Sequence, residues 1–187
     1  MFHGVVTATM HDLSGAFEAD LSAGRLTLRV GAEARVLAVP ASVFATLLTG
    51  DAARLAAEQV GAAVGADVKA LLGADEDPSP ETVGFALSAA LALRGLGTLR
   101  LERWGDALLA VLEGVAHEGP AFASFLATVV GAAVAAVTGS PSRGVLLSAS
   151  GAEAKVLLVH DEAAAAVAAW VAEGQSQSAV LARLHGG

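Results

Sequence analysis

Residues 120–139 read PAFASFLATVVGAAVAAVTG and carry no charged side chain. A helix that is apolar on every face is either buried in protein or crosses a membrane. The apolar run of about 17 residues is at the short limit for a span. It also lacks the flanking lysines and aromatic residues that anchor a helix at a membrane surface. We therefore expect a buried core helix here, and no membrane span.

The composition limits the class of protein. The chain has 187 residues, of which 55% are hydrophobic and 16% charged, and much of the excess is alanine. This length suits one domain with a sizeable core. The formal net charge of −8 argues against nucleic-acid binding, which needs a basic surface. There is no cysteine, so disulfides and thiolate metal sites are excluded. The N-terminus does not read as a signal peptide, and a cytoplasmic location is expected.

The pattern of apolar residues predicts one α+β domain over residues 1–187, in which antiparallel hairpins pack with helices. Alternating side chains predict strands at residues 5–10 and an N-terminal hairpin part over 17–40. A helical part over 42–94 follows, with Ser42, Asp51 and Ser79 as candidate N-caps. A hairpin, the apolar helix and a second hairpin fill residues 96–159, and helices end the chain over 161–184.

Two glycines stand four apart in the second predicted helix. Gly61 and Gly65 are separated by alanines and valine, so another backbone can approach that side closely. The alternatives are a close helix crossing in the core and a seam between two copies of the chain. The same motif pairs helices within membranes, but the charged residues Glu58, Asp67 and Lys69 on this helix exclude a membrane span here.

This order of elements resembles a known family. The segments DLSAGRLTL (residues 20–28), RVLAVPA (35–41) and VGAAVG (60–65) resemble the opening of the vinyl-reductase-type domain. The segment FLATVVG (125–131) resembles its buried helix, and the hairpin around Gly151 its last strands. The resemblance covers residues 20–159 and rests mainly on the order of elements.

The resemblance implies a fold and a kind of role. Vinyl-reductase-type domains share their fold with the Bet-three-like subunits of the TRAPP vesicle-tethering complex, and they also form the ligand-sensing part of some aromatic-responsive activators. It therefore implies a Bet-three-like fold, and a small-GTPase-linked pathway is a setting known from TRAPP. Some members carry cysteines in the last hairpin, where this chain has Leu147 and Lys155. A thiol or metal function at those positions is thus not expected, and neither is a covalently held acyl chain.

The residues offer two groups of candidate sites. The first is a hydrophobic pocket along the apolar helix, whose alternative is a dry core without a cavity. The second is a protein interface, for which the default is an ordinary hairpin with its charges on the solvent side. Arg94 would join the arginines of that interface in a small basic group. The pocket candidates are Phe122, Phe125, Leu126, Val129 and Val130, and the interface candidates are Gly61, Gly65, Arg100, Arg103 and Trp104.

No catalytic constellation is visible in the sequence. His117, beside Glu118, is the most suggestive acid or base, against an ordinary surface histidine. His160 precedes two acidic residues at a predicted helix start, and a role in capping that helix is enough to account for this group of residues. The acidic stretch 75–77 is either a metal loop or simply solvated, and it lacks EF-hand spacing. We expect no metal and no cofactor.

Three functions remain at this stage. The first is a non-enzymatic interaction or scaffold module of a regulatory or assembly complex, working as a homodimer with protein partners. The second is a sensor domain that binds a small hydrophobic or aromatic ligand. The third is an enzyme acting on a tetrapyrrole or related substrate. It is the weakest of the three, because no catalytic group stands out in the sequence.

Overall fold

The computed structural model describes residues 15–20, 22, 25–29, 34–36, 40–73, 78–104, 107–115 and 119–185. Within these ranges the chain forms seven strands and six helices. The strands pair into two antiparallel sheets, one of three strands and one of four. The predicted α+β class is therefore confirmed.

The N-terminal sheet contains β1 (Phe17–Asp20), β2 (Arg25–Leu28) and β3 (Ala34–Val36), paired in chain order. All pairs are antiparallel, with Phe17 opposite Leu28 and Leu26 opposite Val36. All three strands lie within residues 17–40, where the sequence predicted the N-terminal hairpin part. The strand predicted at residues 5–10 lies outside the described residues.

Three helices follow the small sheet: α1 (Ala41–Thr46), α2 (Gly50–Leu72) and α3 (Pro80–Leu93). Ser79 caps α3 as predicted, since its Oγ accepts a hydrogen bond from the Thr82 backbone N–H. The other two caps were predicted wrongly. Pro40 and Thr49 hold the N-cap positions of α1 and α2 without a side-chain hydrogen bond. Asp51 lies one residue inside α2, where its charge favours the positive end of the helix dipole.

The larger sheet contains β4 (Thr98–Trp104), β5 (Ala107–Glu113), β6 (Ser142–Ser150) and β7 (Glu153–His160), in the order β4-β5-β7-β6. Successive side chains of a strand point to opposite faces. Val156 and Leu158 therefore join the main core, whereas Leu157 joins a second, smaller core on the other face. Both central strands are buried on two sides, which explains their near-continuous apolar sequences.

The apolar stretch forms α4 (Pro120–Thr138), which lies between α2 and the larger sheet. Ten of its residues are buried, and Gly139 ends it in the left-handed conformation. Among the described residues, α4 is the one helix long and apolar enough to cross a membrane, and 56% of that window is buried inside the protein. Its position matches the predicted core helix.

Glycines let backbones meet on both sides of α4. A Cβ on Gly61 would lie 2.5 Å from the Val129 carbonyl oxygen and 2.6 Å from the Ala132 Cβ. On the opposite side, a Cβ on Gly131 would lie 2.8 Å from the Arg143 carbonyl carbon and closer still to the Gly144 nitrogen. These positions have no room for any side chain, so glycine sets how closely three layers stack.

The chain ends with α5 (Asp161–Ala172) and α6 (Gln177–His185) on the outer face of the larger sheet. Val167, Val180 and Leu181 pack there against Leu157. Trp170 joins this cluster and lies under the Arg183 guanidinium, 5.4 Å from the ring centroid. The predicted terminal helices are confirmed.

Candidate functional site

The five side chains predicted to line a pocket are brought together on α4. All are at most 4% exposed and belong to the main hydrophobic core. The rings of Phe122 and Phe125 stack at 6.1 Å, and Phe44 of α1 meets Phe125 edge to face at 5.3 Å. Since Phe44 belongs to α1, these three rings, the aromatic cluster Phe44–Phe122–Phe125, join α1 to α4. The buried aliphatic members are Leu126, Val129 and Val130.

The short helix α1, which carries Phe44 of this cluster, has little buried surface. Helix α1 has six residues, and none of its side chains is fully buried. Phe44 and Ala45 are half-buried against the core, whereas Val43 is 50% exposed. Since a short helix with little buried area contributes little packing energy, α1 is weakly held over the aromatic cluster.

The two glycines of the predicted interface are used inside the chain. Gly61 and Gly65 are buried in α2 and contact α4 through Ala132, Ala133 and Ala136. Of the two alternatives for this motif, the structure has the core crossing. A second copy of the chain cannot reach these glycines while that crossing is intact, so a substitution there reports on folding rather than on association.

The basic group predicted around Trp104 does not form, which corrects that prediction. Arg100 and Arg103 stand three apart in β4 and so point to opposite faces of the sheet. Arg94 lies at the end of α3 and pairs with Asp67 of α2. The three arginines were grouped by sequence distance, whereas the strand separates them in space.

Arg100 and Trp104 instead share a network with acidic side chains on the outer face. Arg100 pairs with Glu102 and lies 3.5 Å from the Glu113 carboxylate. The Trp104 Nε1–H donates a hydrogen bond of 3.1 Å to Glu102 Oε2. Carboxylates of the same sheet therefore already neutralise Arg100. The Trp104 ring remains 44% exposed at the end of the hairpin.

A buried ion pair between Asp67 and Arg94 was missed by the sequence analysis. Asp67 is 3% exposed and is the only charged residue buried among those the structure describes. Arg94 Nη1 contacts Asp67 Oδ2 and also donates to the Ala90 carbonyl at 3.3 Å. The signal available in the sequence was the place of Asp67 beside Val68 and three residues after Val64, on the buried side of α2.

A second charged group links three layers at the surface. Arg143 at the start of β6 pairs with Asp161 of α5 and lies 3.4 Å from the Glu58 carboxylate of α2. The hydrogen bond to Asp161 raises the pKa of Arg143 above its ordinary value, and the charges of Asp161 and Glu58 add to the effect. Arginine is charged at any ordinary pH with or without this effect. Arg143 therefore holds α2, β6 and α5 in place and does not exchange protons.

The histidines do not form a site in the part of the chain that the structure describes. His160 is exposed at the N-cap of α5, without a side-chain capping bond. His117 and the acidic stretch 75–77 lie outside the described residues. Among the described residues, no three histidine or acidic side chains lie close enough together to hold a metal ion.

Four exposed large apolar side chains lie on α1, its C-cap and α2, outside the sites predicted from the sequence. Val43 and Leu47 stand four apart on one side of α1 and its C-cap, with 50% and 65% exposed. Leu55 and Leu71 of α2 are 51% and 42% exposed. The sequence signal was apolar residues outside the buried stripe of each helix, which a helical-wheel reading would have found.

Comparison with known proteins adds no relative. No protein-family model matches the chain, and no curated protein sequence matches it.

Proposed function

We propose that this protein is a non-enzymatic protein–protein interaction module, serving as a scaffold in a regulatory or assembly complex. The observation that carries the proposal is the solvent exposure of three large apolar side chains, Val43, Leu47 and Leu55, on α1, its C-cap and the first half of α2. The resemblance to Bet-three-like subunits supports the same role, and the setting in a small-GTPase-linked pathway rests on that resemblance.

The physical argument is the free energy of covering such side chains. Fully burying one Val or Leu side chain is worth about 1.5–3 kcal/mol. Because Val43, Leu47 and Leu55 are already about half buried, covering the rest of each is worth roughly half that value. The sum over three side chains favours association with a partner. A partner with an apolar helix or strand face would supply the complementary surface.

The proposal predicts that adding charge to this surface abolishes partner capture. We expect tagged wild-type protein to retain at least one specific partner from extracts of its native cells. We expect the triple variant Val43→Glu, Leu47→Glu, Leu55→Glu to lose that partner, because each glutamate would have to be desolvated in the complex. Quantitative mass spectrometry of the captured proteins is the measurement.

The matched control places three glutamates on a different exposed face. Ala165, Ala169 and Ala172 are exposed along α5, and their replacement by glutamate adds the same charge without touching α1 or α2. The proposal requires the control to retain the partner. Capture that is equal for all three baits, or absent for the wild type, would contradict it.

A second candidate function is a sensor that binds a small hydrophobic or aromatic ligand. The observation that favours it is the aromatic cluster Phe44–Phe122–Phe125 beneath the weakly packed α1. A flat aromatic ligand could take the place of the Phe44 ring if α1 lifted away from the core.

This alternative predicts that a smaller side chain at residue 44 opens a binding site. We expect Phe44→Ala protein to bind a simple aromatic probe such as indole, and the wild type to bind it more weakly. A thermal-shift titration measures the effect, with Val43→Ala as the control for loss of an exposed α1 side chain. Equal responses of both variants would speak against a ligand site at this cluster.

A further inference from the structure

The outer face of α2 is uncharged along its whole length. Seven exposed residues, six of them apolar, lie on one side of the helix. They span about 27 Å at 1.5 Å per residue. The opposite side of α2 is buried against α4. The outer-face residues are Ala52, Leu55, Gln59, Ala62, Ala63, Ala66 and Ala70.

Such a face is unusual for a surface helix. A helix that packs on one side ordinarily carries charged residues across the other, whereas the charges of α2 on its solvent side, Asp51, Arg54, Glu58 and Lys69, lie on one flank and leave the outer face apolar. Leu55 is 51% exposed at the N-terminal half of the face, and alanines on the C-terminal half leave room for a close neighbour. The α2 outer face therefore has the character of a helix seam that a partner covers.

The arrangement of residues identifies the partner as a second copy of the same helix. In two antiparallel copies related by a two-fold axis, two residues lie opposite each other when their midpoint coincides with the axis. Leu55 and Ala66 have their midpoint between residues 60 and 61, and Gln59 and Ala62 share it. Leu55 of one copy thus meets Ala66 of the other, and Gln59 meets Ala62. A large side chain faces a small one each time, as close helix packing requires.

The charges beside this face have the same symmetry. Asp51 and Lys69 lie on one flank of the α2 outer face, in its first and last turns. Neither has an ion pair within the ranges that the structure describes. Their midpoint is residue 60, so an antiparallel copy brings Asp51 next to Lys69 of the other chain, twice per dimer. The antiparallel direction also sets opposite ends of the helix dipoles side by side.

We propose that a second copy of this chain covers the α2 outer face, packed antiparallel about a two-fold axis beside residues 60 and 61. Apolar burial supplies the affinity, and the two Asp51–Lys69 pairs select the register, since exposed ion pairs contribute little energy. One helix pair is smaller than a standard interface of about 1,600 Å². The dimer is therefore of moderate affinity and dissociates on dilution.

The inference rests on the proposed function as an interaction module and names one of its partners. Charge reversal tests it at little cost to the fold, because Asp51 and Lys69 are both exposed and only the helix dipole disfavours the new charges. We expect the wild type to dimerise with concentration in sedimentation equilibrium. Asp51→Lys and Lys69→Asp should each weaken the dimer about tenfold, because like charges then meet. The double variant should restore it, since the swapped charges pair again.

A second pair of variants tests the apolar seam. Leu55→Glu should give a monomer, whereas Leu71→Glu, a matched change outside the outer face, should leave the dimer intact. A wild type that stays monomeric at millimolar concentration, or a dimer indifferent to Leu55→Glu, would overturn the inference. A monomer that still captures a partner through Val43 and Leu47 would overturn this inference alone, and a dimer that captures nothing would overturn only the wider function.

Discussion

Gly131→Ala is expected to destabilise the fold by about 3 kcal/mol or more, at and beyond the upper end of the range for overpacked cores. The new Cβ would meet three backbone atoms of β6, including the Arg143 carbonyl carbon at 2.8 Å. Backbone atoms cannot rotate away as side chains do, so α4 or the strand must move. Such a move also loosens the crossing of α4 with α2 on its other side. Urea denaturation followed by circular dichroism measures the loss.

The control for this prediction is Gly84→Ala, the same substitution inside another helix. A Cβ on Gly84 would meet the end of the Leu101 side chain at 3.2 Å, and Leu101 is half-buried and can shift. Both variants gain about 1 kcal/mol of helix propensity, so their difference isolates the contact with β6. We expect Gly84→Ala to be near neutral. Equal stability of the two variants would show that α4 does not rest on β6 as closely as described.

Arg94→Met is expected to destabilise the fold by about 3–5 kcal/mol, the range for breaking a buried ion pair by removing one partner. The Asp67 carboxylate would remain buried without its cation, because its side chain is only 5% exposed. Methionine keeps most of the volume of the arginine stem, so the loss reports charge rather than packing. Total stabilities of about 5–15 kcal/mol make this a large fraction of the whole.

Two further variants make the second prediction specific. Arg54→Met removes a surface cation that pairs with Glu58 at i,i+4, and we expect a change of at most about 0.5 kcal/mol. The double variant Asp67→Leu, Arg94→Met removes both charges and should recover most of the stability lost by Arg94→Met alone. A double variant as unstable as the single one would contradict the role of the Asp67–Arg94 pair.

The elements of the fold were largely predictable from local patterns. Alternating side chains indicated β4, and all-round apolarity indicated that α4 is buried, because both properties follow from the immediate surroundings of each residue. Ser79 was recognised as a cap because its hydrogen bond joins residues three apart. Asp51 was misplaced by two positions, since the start of α2 is set by how the helix packs and not by its best capping residue.

The candidate site was much less predictable. The five pocket candidates share one face of α4 and are all buried, because their spacing follows the helical period. That they line a ligand pocket stays a prediction. The basic group failed since it joined Arg100 and Arg103 by sequence distance across a strand whose side chains alternate. The contact of Asp67 with Arg94 joins two helices, and nothing local in either segment indicates the partner of the other.

The sequence alone determined that residues 120–138 form a buried helix within an α+β domain, because periodicity and apolarity act over a few neighbouring residues. Only the tertiary structure decided what that helix touches. It put Gly61 and Gly65 against α4 within the same chain, Gly131 against β6, and left the uncharged face of α2 exposed. These contacts depend on how distant segments meet, and the free energy of such packing is not encoded in any one segment.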